Sequence, residues 1–287
     1  MHIPVLKEEV LHFLSPGENE NFIDCTAGLG GHSFSILEKN RPNGKVLAME
    51  WDEELYDLLK EKESKRFIPV NESYTQIKNV VEEKDFSPVS GILFDLGFSS
   101  FHVDQSGRGF SFMRKEKLDM RYNKSNPLTA YEIVNKYKEK DILYILQKWG
   151  EEEYAKDITE RIIRERKEKP IETTKELAEI VEQSIPKYYQ RKQRINPSTK
   201  TFQALRIAVN GELLGLTAAL PMALDVLEKG GRLVVICFHG GEEKIIKNFF
   251  RLANISNLTL KPIVPTQEEI NNNIRSRSAK LFAVVKK

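Results

Sequence analysis

Hydrophobic positions along the chain fall into two kinds of run. Short, nearly unbroken apolar stretches lie at 22–24, 45–49, 66–70, 91–95 and 232–238, and between them stand segments at 4–14, 33–39, 52–62 and 242–250 that suit amphipathic helices. A strand with one wet face alternates apolar and polar residues, whereas a strand covered on both faces does not. The runs therefore predict an α/β chain with a parallel, doubly wound sheet, helices on both faces and ligands at the carboxyl ends of the strands. Two further apolar stretches, 259–263 and 280–285, predict a closing pair and bring the sheet to seven strands. The connection between these two is rich in Asn and Ser, which allows one of them to run antiparallel.

The alternation stops after Ser100. Residues 101–126 are polar and mixed in charge, and a connection of that length without clear elements is expected to be functional or disordered. Its aromatics, Phe101, Phe110, Phe112 and Tyr122, argue against disorder. Helical spacing follows at 130–137, 142–149 and 154–166, and again after Thr173, where Glu176 is placed to cap. These helices read as an insertion, which divides the 287 residues into a first core part at 1–104, a helical domain at 105–198 and a second core part at 199–287. The second part opens with a long helix over 201–220, ended by Pro221 and continued over 222–227.

Candidate chemistry gathers where the first strand turns into a helix, at N-F-I-D-C-T-A-G-L-G-G-H-S, residues 21–33. Gly28, Gly30 and Gly31 suit a sharp turn that comes close to a ligand. Their spacing is not the G-x-G-x-x-G of a dinucleotide site. Asp24 would repel pyrophosphate but suits the cationic amino-acid tail of S-adenosylmethionine. Glu50 ends the second strand, where a carboxylate accepts both hydroxyls of an adenosine ribose. A nicotinamide cofactor would ask for the same acid. Tyr74, beyond the third strand, is a candidate for lining an adenine ring.

Asp95 ends the fourth strand and opens D-L-G-F-S-S. Methyl transfer to an exocyclic base nitrogen needs an aligned nucleophile whose lone pair is freed from the ring. Acceptors on its N–H groups, from Asp95 and Ser99, would serve that purpose, and Gly97 would let the base approach the backbone.

The formal charge is only +2, yet residues 187–206 hold six Lys and Arg and residues 270–287 hold five, with no acid in either. Lys187, Arg191, Lys192, Arg194, Lys200 and Arg206, interleaved with Tyr188, Tyr189 and Phe202, suit a polyanion with unpaired bases, as do Arg275 and Arg277 in the tail. Arg108, Arg114 and Arg121 add charge beside the D-L-G-F-S-S segment, and His239 stands at the end of the fifth strand. Cys25 and Cys237 sit in apolar surroundings as expected for buried thiols, and five scattered histidines suggest no metal site. No apolar run reaches the eighteen residues that span a bilayer, so the expectation is a cytoplasmic protein without membrane contact. The sequence leaves the oligomeric state open.

Several stretches together resemble one family along essentially the whole chain: H-I-P-V-L-K-E-E-V, D-C-T-A-G-L-G-G-H-S, G-I-L-F-D-L-G-F-S-S, R-G-F-S-F, L-D-M-R, T-F-Q-A-L-R-I-A-V-N-G-E-L, G-G-R-L-V-V-I-C-F-H and R-S-R-S-A-K-L. The chain is similar to the bacterial ribosomal RNA small-subunit methyltransferase H family. That resemblance implies a class I S-adenosylmethionine-dependent fold, Rossmann-like, with an inserted helical domain. It also implies methylation of N4 of one cytidine in the decoding region of 16S ribosomal RNA, with the small ribosomal subunit as partner. Cofactor contacts would fall on Gly30, Gly31, His32, Glu50, Tyr74 and Asp95. The next contact, usually glutamine, falls on His102. Glu50 stands where aspartate is usual, and F-H-G-G-E-E-K, with Gly240 and Gly241, stands where F-H-S-L-E-D-R is typical. Other readings are a methyltransferase of this fold acting on another base or RNA, and a catalytically silent RNA-binding assembly protein.

Overall fold

The computed structural model describes residues 4–192 and 195–287. Seven strands form one sheet: β1 (Phe22–Asp24), β2 (Val46–Met49), β3 (Phe67–Val70), β4 (Gly91–Asp95), β5 (Arg232–Cys237), β6 (Ile255–Asn257) and β7 (Lys280–Lys286). Their order is β3-β2-β1-β4-β5-β7-β6. The first five pair in parallel, and β7 runs antiparallel to both β5 and β6. This is the doubly wound α/β sheet expected from the apolar runs, with one antiparallel strand, β7, next to the edge strand β6.

Successive strand residues enter opposite faces, and both faces are buried. Ile23, Leu47, Met49, Ile92, Phe94, Leu233 and Val235 join one apolar cluster, with Ile77, Val80, Leu216, Leu220 and Ile246 from covering helices. Phe22, Val46, Ala48, Leu93, Val234 and Ile236 join the other, with Val10, Leu14, Ile36 and Leu59. The unbroken apolar runs in the sequence come from this double coverage. The helices that provide it include α1 (Lys7–Leu14), α2 (Gly31–Lys39), α3 (Glu53–Lys60) and α4 (Ile77–Glu83), the last absent from the sequence reading.

Contacts divide the chain into two compact units, one of Met1–Gly97 with Leu213–Lys287 and one of Phe98–Glu212. The second contains α5 (Ser100–Asp104), α6 (Ala130–Lys136), α7 (Glu139–Lys148), α8 (Ala155–Glu168), α9 (Thr174–Ser184), α10 (Lys187–Lys192) and α11 (Thr199–Asn210). Its core is separate, built on Ile133, Ile142, Leu146, Ile158, Leu177, Val181 and Leu205. Thr173 and Glu176 form the reciprocal cap that starts α9. The unit boundaries differ from the expected 104/105 and 198/199, because α11 packs on α6 and α7 rather than with the sheet.

Two element expectations need correction. The helix expected over 201–220 breaks at Gly211, which takes a φ of 61° and closes α11 with its N–H on the carbonyl of Ile207. Pro221 then lies inside α12 (Glu212–Val226) and does not end it. The strand expected at 259–263 is also displaced: β6 forms at Ile255–Asn257, and within 259–263 only Ile263 makes an isolated bridge, to Leu281. Pro262 has no N–H to give a ladder, and Leu260 is 97% exposed. The remaining helices are α13 (Gly240–Leu252) and α14 (Gln267–Asn272). Among the described residues no single helix is long and apolar enough to cross a membrane.

Candidate active site

The carboxyl ends of β1, β2 and β4 bring three acids into the sheet unit: Asp24, Glu50 and Asp95. Asp24 is 1% exposed and anchored at both oxygens, by the Ser33 hydroxyl at 2.7 Å and the Thr26 amide at 3.2 Å. Burial raises its pKa above the ordinary carboxylate value, and the neighbouring Asp95 adds to the rise. Glu50 accepts from the Gly28 amide and the Asp52 amide, each at 2.8 Å, so it fastens the glycine turn to the start of α3. Burial pushes its pKa up to about 8, with Asp52 and Asp24 adding repulsion against the two amides that favour the ionised form. The adjacent Asp52 caps α3 through the amides of Glu54 and Leu55.

Two glycines of the turn are required by the protein itself. At Gly30, φ is +86°, and a Cβ would lie 2.5 Å from the Phe34 ring; at Gly31 a Cβ would lie 2.6 Å from Pro4. This packing accounts for residues that the sequence reading assigned to ligand approach.

His32 follows in the first turn of α2 and is 6% exposed. Neither ring nitrogen has a hydrogen-bond partner, and Nε2 stands 3.6 Å from Asp95 Oδ2. Asp95 receives its backbone fixing from elsewhere, through its amide on the Thr26 hydroxyl at 2.7 Å, while its buried Oδ1 is also unpartnered. The sequence reading missed Thr26 and Ser33: an Asp that accepts the amide two residues on is a familiar local turn, but it does not mark the Thr26 hydroxyl that receives the Asp95 amide. Tyr74 packs edge-on against Phe94 at 5.7 Å and beside Gly215 of α12, partly within the core.

At the end of β5, His239 and Glu242 cap α13 reciprocally: Glu242 accepts from the amides of Phe238 and His239, and His239 Nδ1 accepts from the Glu242 amide. Gly241 lies where a Cβ would come within 3.2 Å of the His239 ring. Burial raises the pKa of both Cys25 and Cys237, which removes them as nucleophiles at neutral pH.

The helical unit holds the other expected site residues. Ser99 caps α5 by accepting from the Phe101 amide, and His102 Nδ1 completes the box by accepting from the Ser99 amide at 3.1 Å. The His102 ring packs on Phe110 and Tyr122, each at 4.9 Å between centroids. Gln at that position would complete the same box.

Three of the arginines expected to meet RNA are bonded to groups of their own unit. Arg108, 6% exposed, donates to the carbonyls of Arg121 and Tyr122. Arg121 holds both oxygens of Asp119 at 2.8 Å and donates to the carbonyls of Lys124 and Asn126. Burial opposes ionisation of Asp119, but these bonds pull its pKa below the ordinary value. Arg206, 7% exposed, makes a two-pronged bond to Glu212 at 2.8 Å, with the Phe98 ring 4.6 Å from its guanidinium. Each satisfies carbonyls or carboxylates that irregular backbone would otherwise leave buried and unpaired. Lys200 donates to the Glu151 carbonyl, and Arg114, exposed, to that of Asp104.

Lys187 and Arg191 on α10 are exposed, beside Tyr188 at 64% exposure. Arg275 and Arg277 are exposed in the sheet unit. Arg194 lies outside the described residues, as does the side chain of Lys192.

The family model of the MraW methylase family matches residues 1–287. Among curated relatives, the ribosomal RNA small subunit methyltransferase H of Sulfurihydrogenibium azorense is 45% identical over 287 residues, covering 98% of this chain and 97% of that protein. The protein of the same name from Caldicellulosiruptor saccharolyticus is 42% identical over 301 residues, with 98% and 97% covered. That of Dictyoglomus thermophilum is 42% identical over 287 residues, with 98% and 95% covered.

Proposed function

Because the chain belongs to the MraW methylase family, we propose that it methylates N4 of one cytidine in the decoding region of 16S ribosomal RNA, using S-adenosylmethionine. It would act in the cytoplasm on the small ribosomal subunit. S-adenosylmethionine supplies, when bound, an electrophilic methyl group on a sulfonium sulfur. The residues of the sheet unit fit such a ligand. Asp24, Glu50 and Asp95 stand at adjacent strand ends, where burial and neighbouring acids hold up the pKa of Asp24 and Glu50; a cationic ligand would favour their ionised forms, whereas a dinucleotide pyrophosphate would oppose them. The buried, unpartnered nitrogens of His32 and oxygen of Asp95 are groups that a polar ligand would satisfy. Glu50 would hold the ribose hydroxyls, Asp24 and His32 the amino-acid end, and Tyr74 the adenine side.

The observation that carries the reaction class is Asp95. Its Oδ1 is buried without a hydrogen-bond partner, and once the base is seated it would accept an N–H of the cytosine amine. As the nitrogen forms its bond to carbon and the carbon–sulfur bond breaks, the nitrogen becomes cationic, and one proton passes to the carboxylate. Methylation at C5 of the same ring would instead need a thiolate to attack C6. The chain has two cysteines, both buried with raised pKa. Amine chemistry needs no such nucleophile.

The test is to incubate the purified protein with labelled S-adenosylmethionine and small subunits from a strain lacking the modification, then digest the RNA to nucleosides. One equivalent of N4-methylcytidine is expected, mapped to a single decoding-region position. Label in C5-methylcytidine, in adenine or at scattered cytidines would defeat the proposal.

A further inference from the structure

The polar groups around His32 are fixed unevenly. Asp24 is held at both oxygens by Ser33 and Thr26, and Glu50 at both oxygens by Gly28 and Asp52. The Asp95 side chain has no such anchor, although its backbone pairs with Ile236 of β5 and its amide donates to the Thr26 hydroxyl. His32 Nε2 stands 3.6 Å from Asp95 Oδ2. That separation is about half an ångström beyond a hydrogen bond. The His32 ring is itself buried, and neither nitrogen is otherwise used. A carboxylate that must present one oxygen to a substrate amine loses rate if it is free to rotate.

We propose that His32 is a positioning residue for Asp95: its Nε2–H closes onto Asp95 Oδ2 and fixes the carboxylate with Oδ1 toward the acceptor amine. In that tautomer Nδ1 is an acceptor, left for the ammonium of the amino-acid tail. The two nitrogens of one ring thus carry separable tasks, rate through Nε2 and cofactor affinity through Nδ1. This rests on the methyltransferase reading above.

Side chains that imitate one nitrogen at a time separate the tasks. The terminal amide of Gln reaches the place of Nε2, whereas the shorter Asn reaches that of Nδ1. Single-turnover methyl transfer to small subunits at saturating cofactor should fall about 30-fold in His32→Ala, recover to within about threefold of wild type in His32→Gln and stay low in His32→Asn. Binding calorimetry on the protein without RNA supplies a readout independent of turnover. His32→Asn should bind S-adenosylmethionine more tightly than His32→Ala does, while 5′-methylthioadenosine, which lacks the amino-acid tail, should bind all four proteins alike.

In an Asp95→Asn background the rate loss from His32→Ala should shrink to less than threefold, because the two residues act as one unit. If the two losses multiply instead, or if Gln and Asn restore rate equally, His32 does not position Asp95. Wild-type protein that transfers no methyl to any RNA would overturn the functional reading and this assignment together. Additive losses in an active wild type would overturn this assignment alone.

Discussion

At the strand ends of the sheet unit, His32 offers two ring nitrogens and Asp95 one carboxylate oxygen to no partner. In the helical unit, Arg121 makes bonds to a carboxylate and two carbonyls, and Arg206 is closed on Glu212. Both regions are irregular, both are rich in ionisable groups, and both drew functional assignments from sequence. They differ in where the bonds go. Satisfied charges hold a loop together, whereas buried groups without partners are costly and persist where a ligand completes them. By that criterion the proposed site falls at the β1 and β4 ends, and Arg108, Arg121 and Arg206 serve the helical unit as framework.

The largest effect expected from this contrast is on folding. Arg206→Ala leaves the Glu212 carboxylate, itself 8% exposed, buried without its cation, and should destabilise the protein by about 3–5 kcal/mol in urea unfolding. Replacing both partners together, with Arg206→Met and Glu212→Leu, should recover most of that loss. Full stability in Arg206→Ala would mean that the pair is not part of the framework.

Next in size is Asp95→Ala, which should leave the fold intact and lower turnover on small subunits by about 10²-fold or more at saturating cofactor. Wild-type turnover with only weakened cofactor binding would assign Asp95 to the cofactor and not to the amine.

The sheet was legible in sequence because double coverage produces unbroken apolar runs, and the strand-end acids were legible because they terminate those runs. The α4 helix was not: its Ile77 and Val80 are two apolar contacts on a short polar segment. Nor was β6, three residues whose place depends on pairing with β7 rather than on local pattern. For Arg108, Arg121 and Arg206 the sequence shows charge but not direction. An arginine tied to carbonyls and carboxylates reads the same as one that faces solvent, because its partners are backbone atoms common to every residue or acids a few positions away that a solvated face carries equally.

A smaller effect concerns Glu50. Glu50→Ala should weaken S-adenosylmethionine binding by about 1.5–3 kcal/mol, read by calorimetry, with little change in transfer at saturation. Burial holds this carboxyl at about 8, above its ordinary 4.5, so the folded chain keeps a proton that the unfolded chain gives up first. Stability of the protein without cofactor should therefore fall as pH rises from about 4.5 to about 8, then level off. A ligand that prefers the ionised acid should bind more tightly as pH rises through 8, and Glu50→Ala should flatten that dependence. A pH-independent affinity in the wild type would show that the ligand does not use the ionised carboxylate.

The smallest effect tests the outward side of the comparison. Lys187 and Arg191 are exposed on α10 beside an exposed tyrosine, unlike Arg108, whose guanidinium is bonded to two backbone carbonyls. An exposed cation that neutralises a phosphate releases counterions, and its removal lowers the salt dependence of RNA binding. A buried cation releases none. Lys187→Glu with Arg191→Glu should therefore reduce the slope of log affinity against log salt by about 1.4–1.8, without changing cofactor affinity or thermal stability. Arg108→Ala should do the reverse, lowering stability while leaving the slope of the remaining folded protein unchanged. If the double variant keeps the wild-type slope, the basic face of α10 is ordinary solvated surface, and the tail cations Arg275 and Arg277 become the place to look for phosphate contact. If Arg108→Ala changes the slope, the distinction between inward and outward arginines fails, and the 105–129 segment opens when RNA binds.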